Sequence, residues 1–122
     1  MTKTFTGWLL DPADRAALLA RVPPRYERVV ADHVTLAFNP AKPKVPRETT
    51  AEVVGATDDD EGVQALVVRI GGTTDRPDGS TYHMTWSLGP GRDAKESNDV
   101  LQTRGWTEFD QPISIRLHPK LF

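Results

Sequence analysis

Cysteine is missing altogether from the 122 residues. Disulfides, thiolate nucleophiles and cysteine-bound metal clusters are therefore excluded. Also missing is any apolar run long enough to cross a bilayer, and residues 1–7 lack the extended apolar stretch of a signal peptide. The expectation is a cytoplasmic chain that engages no membrane. Strong net charge is lacking too: 15 Lys and Arg stand against 17 Asp and Glu, leaving −2. Bulk nucleic-acid binding through backbone neutralisation is not open to such a chain. The glycines make no phosphate cradle, because Gly89-Pro90-Gly91-Arg92 lacks both the spacing and the Lys-Thr or Lys-Ser of a P-loop. The length fits one compact domain with an ordinary core, too short for two.

What is present is a short segment written twice. Asp32-His33-Val34-Thr35-Leu36-Ala37-Phe38-Asn39-Pro40 and Tyr82-His83-Met84-Thr85-Trp86-Ser87-Leu88-Gly89-Pro90 share one pattern. Each reads variable, His, apolar, Thr, apolar, small, apolar, turn residue, Pro, and residue 83 stands 50 after residue 33. Strand side chains alternate faces, so His and Thr at i and i+2 project together, roughly 6–7 Å apart. The same alternation sends Val34, Leu36, Met84 and Trp86 to the opposite face, which makes Trp86 a core residue rather than a platform for a base.

The rest of the chain predicts the order β-α-β-β-β-β-α-β. A first strand covers residues 4–10. Asp11 caps a helix with Pro12 at its first position, running from Ala13 to Val22 and stopped by Pro23-Pro24. The His33 strand covers residues 29–38, and a proline-rich loop follows at 39–46. Residues 50–56 and 63–70 pair across Thr57-Asp58-Asp59-Asp60-Glu61-Gly62, an acidic run that reads as a hairpin turn, with a cation site as its alternative. After the turn-rich stretch 71–80 comes the His83 strand. Asp93 and Glu96 then suggest a capped helix ending near Gly105, and a strand from 107 to 117, interrupted at Pro112, closes the fold. Two β/α units, each with one His-Thr strand, give a pseudo-twofold α+β domain.

Two histidines and two threonines at one place are equipment for metal-free phosphoester chemistry. Imidazole titrates near neutrality, so one ring can take a proton from water while the other protonates a departing oxygen. Thr35 and Thr85 would donate to the non-bridging oxygens, where charge builds. Spacing does not assign which histidine is the base. Lys42, Lys44 and Arg47 follow the first tetrad, and Arg92 and Lys95 the second. They either flank the site and favour an anion or are solvated loops. His118 lacks a Thr two residues on; it could join the other histidines on a metal, but no carboxylate is spaced as in a His-rich motif. Trp8, Tyr26, Trp106 and Phe109 could each stack on a nucleobase, though all four residue types are more often core or interface.

The tetrads His33-Val34-Thr35-Leu36 and His83-Met84-Thr85-Trp86 resemble those of the two-histidine (2H) phosphoesterase superfamily. The stretch from His83 to Leu101, with Ser97-Asn98 ahead of Val100-Leu101, is similar to the cyclic phosphodiesterase domains of fungal-type tRNA ligases. The resemblance implies one domain over residues 1–122, a bilobal pseudo-twofold α+β fold of mainly antiparallel sheets, and two helices packed outside. It also implies metal-independent hydrolysis of 2′,3′-cyclic phosphates, on nucleotides or RNA 3′-ends, to 2′-phosphates, as in RNA repair and processing. His33 and His83 match the acid–base pair, with the second motif as water activator, and Thr35 and Thr85 match the phosphate-binding hydroxyls. Lys42, Lys44, Arg92 and Lys95 become candidate substrate contacts. No cofactor and no metal are implied, and the expected form is a monomer. The chain is shorter than the family's pattern, which points to a small nucleotide or an RNA terminus rather than a long RNA. Other ligands fit the same four residues: a cyclic dinucleotide, a 2′-5′ oligonucleotide or an ADP-ribose cyclic phosphate. A non-catalytic nucleotide-binding module, or a structural domain with core histidines, are the readings from other classes.

Overall fold

The computed structural model describes residues 5–38 and 46–122. Along the chain run β1 (Phe5–Leu10), α1 (Pro12–Arg21), β2 (Arg28–Val29), β3 (His33–Phe38), β4 (Thr49–Asp58), β5 (Val63–Arg69), β6 (His83–Leu88), α2 (Glu96–Arg104) and β7 (Thr107–Leu121). The strands form one seven-stranded antiparallel sheet in the order β2-β6-β5-β4-β7-β1-β3. The architecture is α+β.

Local chemistry sets both helices. Asp11 Oδ1 accepts from the Ala13 and Asp14 amides at 3.0 and 3.1 Å, with Pro12 next in line. Such a cap is worth about 1 kcal/mol. In α2 only half of the expected capping box forms. The Glu96 carboxylate reaches back to the Asp93 amide at 2.6 Å, but no side chain caps the helix. Gly105, at φ 69, ends it in a conformation that a Cβ would resist.

The strand expected at 29–38 is in fact two. Ala31 sits at φ 44, a left-handed conformation that costs a residue with a Cβ roughly 1–2 kcal/mol. Its neighbours hold it there: its amide donates to Thr85 O at 3.1 Å and its carbonyl accepts from Arg15 Nε at 2.8 Å. Before this kink Arg28 and Val29 pair with β6; after it His33 to Phe38 pair with β1. The consequence is global. β2 and β3 are the two edges of the sheet, yet only residues 30–32 separate them, a reach of at most about 14 Å between flanking Cα atoms. The sheet must curl until its edges meet, and that brings β3 beside β6.

Strand β7 runs beyond the expected end at Leu117, to Leu121. Phe122 donates to Phe5 O, so by alternation the amide position of Pro119 faces away from β1, on the side where β4 has already ended at Thr49↔Leu117. Pro112 falls in an interruption, since pairing with β4 jumps from Val53↔Ile113 to Gly55↔Glu108. The acidic run forms the β4–β5 turn. Asp58 accepts the Asp60 amide, Asp59 accepts those of Glu61 and Val63, and Arg25 and Arg92 pair with the carboxylates.

Inside the curl lie Val34, Leu66, Val68, Met84, Trp86 and Leu117, with Leu18 from α1. Trp86 is fully buried and its indole N–H donates to Val22 O at 2.8 Å. Cutting it to alanine would cost about 3–5 kcal/mol. Helix α2 covers part of the other face, setting Leu101 against Val54 and Val67, and Val100 against Val63 and Leu88. No helix among the described residues is long and apolar enough to cross a membrane.

Candidate active site

Each tetrad opens a strand: His33 is the first residue of β3 and His83 the first of β6. Alternation then works as the sequence predicts. Val34 and Met84 are fully buried in the core, while His33, Thr35, His83 and Thr85 turn to the other face and line one cavity of about 230 Å³. Phe5 from β1, Arg76 from the β5–β6 loop, and Ala94, Lys95 and Asn98 around the start of α2 complete its wall.

The two imidazoles are held by their Nδ1 atoms. Nδ1 of His83 lies 2.8 Å from Thr81 O. A carbonyl only accepts, so Nδ1 carries the proton and, in the neutral ring, Nε2 keeps its lone pair. Burial first, and then the positive charges of Arg76 and His33, hold His83 below its ordinary 6.5; the Thr81 carbonyl and the Asp78 carboxylate pull the other way. His83 is accordingly neutral at pH 7. Nδ1 of His33 instead lies 3.1 Å from Asp32 Oδ2, a carboxylate able to pair with an imidazolium. The His33 ring rests against Phe5 and Phe122, at centroid distances of 5.3 and 5.0 Å, and those two rings stack on each other at 4.3 Å.

The hydroxyls differ as well. Thr35 is 7 % exposed, and its hydroxyl makes no hydrogen bond to the described residues. Gly7 faces it across the β1–β3 pair, where an added Cβ would lie 2.2 Å from Val34 O, so only glycine permits this close strand approach. Thr85 Oγ1 donates to Ala94 O at 3.2 Å and lies 2.9 Å from Ser97 Oγ, which is fully buried.

Of the basic candidates, Lys95 lines the cavity. Arg92 does not: it pairs with Asp59 at 2.7 Å and Glu96 at 3.1 Å, tying the β4–β5 turn to α2. Its neighbouring acids turn its guanidinium toward the acidic turn, away from the cavity wall. Lys42 and Lys44 lie outside the described residues, and Arg47 offers its backbone carbonyl to the Trp8 indole at 2.8 Å. His118 does not join the other histidines. Its Nε2 lies 2.8 Å from Asp11 Oδ2, a bond that raises its pKa. The described residues hold no cluster of three or more His, Asp or Glu suited to a metal.

The aromatic candidates are placed elsewhere. Trp8 and Phe109 pack in or against the core, Tyr26 bonds Asp58 at 2.6 Å, and Trp106 lies on another cavity. Among the described residues Phe5 lines the cavity itself, with Phe122 beside it against the His33 ring. Its place follows from register, since it shares a face with Gly7 and Leu9, which pair with Thr35 and His33. The sequence names Asn98 only within the stretch that carries the resemblance and gives it no role at the site, and it does not single out Arg76, for which the Arg76-Pro77-Asp78 spacing, which lets a guanidinium fork onto a carboxylate, is the available signal. No protein-family model, curated protein or solved structure matches this chain.

Proposed function

We propose that this chain is a metal-independent phosphodiesterase of the two-histidine phosphoesterase type, opening 2′,3′-cyclic phosphates of nucleotides or RNA ends to 2′-phosphates. The carrying observation is that both His-Thr pairs of the duplicated segment line one cavity. A single chain supplies all four groups. His83 Nε2, unprotonated at pH 7, takes a proton from water as the water oxygen attacks phosphorus. The P–O3′ bond breaks, and His33, its Nδ1 held by Asp32, gives a proton from Nε2 to O3′. Thr35 and Thr85 donate to the non-bridging oxygens. Thr35 is ready to do so, whereas Thr85 must turn its hydroxyl away from Ala94 O, with Ser97 remaining beside it. General acid–base help of this kind is worth on the order of 10² to 10⁴ per group.

The test is incubation with 2′,3′-cyclic AMP, a cyclic-phosphate-ended oligonucleotide, a 2′-5′ oligonucleotide and a cyclic dinucleotide, with chelator present. Release of nucleoside 2′-phosphate, lost in His33→Ala and His83→Ala, is expected. Turnover of only the last two would move the substrate class, and turnover of none would remove the enzyme reading.

A further inference from the structure

We propose that Arg76 is a phosphate ligand of the histidine cavity and, on the phosphodiesterase reading above, a further catalytic residue. Its guanidinium, set in place by Asp78 and Asn98, meets the phosphoryl oxygens and offsets the charge that builds on them. Diester hydrolysis concentrates negative charge on those oxygens. The two threonines are neutral and His83 enters as the free base, so the tetrads bring at most the one positive charge of His33. Arg76 lines the same cavity with a side chain only 4 % exposed.

Its counter-ion faces elsewhere. Asp78, with its side chain 56 % exposed, lines a neighbouring hollow with Ser80 and Gln102 and does not line the histidine cavity. The carboxylate is thus screened by water while the guanidinium faces a drier space, and the cavity sees net positive charge. Nε and Nη2 of Arg76 fork onto Oδ1 and Oδ2 of Asp78 at 3.2 and 3.1 Å, and Nη2 also reaches Asn98 Oδ1 at 3.4 Å. Asp78 is kept ionised by the Ser80 hydroxyl and by Arg76 itself, its pKa lowered to about 2. Asp78 and Asn98 are positioning residues on this account. The planar fork is what lysine cannot copy.

The experiment pairs binding with kinetics. In the unaltered chain, inorganic phosphate is titrated while the Arg76 Nε and His83 imidazole resonances are followed by NMR; both should move with one dissociation constant. Calorimetry on folded Arg76→Gln should show phosphate affinity reduced at least 10-fold. Its kcat should fall by roughly 10²- to 10³-fold, as for loss of one oxyanion donor, with Arg76→Lys falling less. The pH profile supplies a readout that a purely structural role would not move. Arg76, His33 and Asp78 are the charges acting on His83, and Lys95 shares the cavity wall. Arg76→Gln should therefore move the acid limb to higher pH, Asp78→Asn should move it to lower pH, and Arg76→Lys should leave it in place. A wild-type Arg76 resonance unmoved at saturating phosphate, or unchanged phosphate affinity in folded Arg76→Gln, overturns the assignment. If phosphate binding depends on Arg76 while no cyclic phosphodiester is hydrolysed, the anion site stands and the phosphodiesterase reading alone falls.

Discussion

His33 and His83 begin their strands at matching positions of a repeated segment, yet one leans on a carboxylate and two stacked phenyl rings while the other is pinned to a main-chain carbonyl and sunk beside an arginine. Their threonines diverge in the same way, one hydroxyl open to the cavity and the other engaged with Ala94 and Ser97. A symmetrical motif by itself cannot divide acid from base. On the proposed mechanism the surroundings do so, by making one imidazole hard to protonate and giving the other an anionic partner. Duplication provides the pair, and unlike neighbours make its two halves chemically unequal.

The widest effect that sharpens this contrast comes from the rings. His83→Ala and His33→Ala should each lower kcat/KM for a cyclic nucleotide by roughly 10²- to 10⁴-fold, with little change in Tm, since both rings are partly exposed and neither supports the core. Equal loss of fold and activity in both variants would return the histidines to structural duty.

Next in size come the threonines. Thr35→Ala should slow turnover by about 10²-fold and leave Tm nearly unchanged. Thr85→Ala should slow turnover and also destabilise by about 1–3 kcal/mol, because Ala94 O and the buried Ser97 hydroxyl lose a partner. Thermal unfolding beside kinetics separates the two, and identical Tm losses would erase the proposed difference between the strands.

Acidity gives a smaller effect. With His83 as base and its pKa held below 6.5, the acid limb of kcat/KM should fall below that value, and a limb above it would contradict the burial argument. The smallest effect is on stability. His83 takes up its proton more readily when unfolded, so its contribution falls as pH drops through 6.5 toward the lower folded value. His118, raised by Asp11, behaves oppositely: its contribution is complete below 6.5 and is lost as pH rises through the higher folded value. Unfolding across pH 5–9 should show His118→Gln flattening only the upper side.

Much of this was legible where the deciding interaction is local. Asp11-Pro12 marks the start of α1 within one turn, and the His-x-Thr alternation fixes which side chains face the core without knowledge of the partner strand. Features set by distant contacts were not legible. Ala31 adopts a left-handed conformation because Thr85 and Arg15 hold it, and nothing in the alanine announces that. Phe122 reaches His33 only through the pairing of β7 with β1, at the far end of the chain. Arg76 lies in a loop without periodicity, so its burial appears only when that loop packs beside the start of α2 at the cavity wall. Nearness to the second tetrad points to Arg92 as a site residue, but its pairing with Asp59 depends on a turn distant in sequence.

A crystal structure with nucleoside 2′-phosphate bound would bear most directly on the shared cavity. One phosphoryl group should lie within hydrogen-bonding distance of both His33 Nε2 and His83 Nε2, with the Thr35 and Thr85 hydroxyls on its remaining oxygens. A phosphate seated away from the histidines, or touching one of them while the other points elsewhere, would contradict that arrangement.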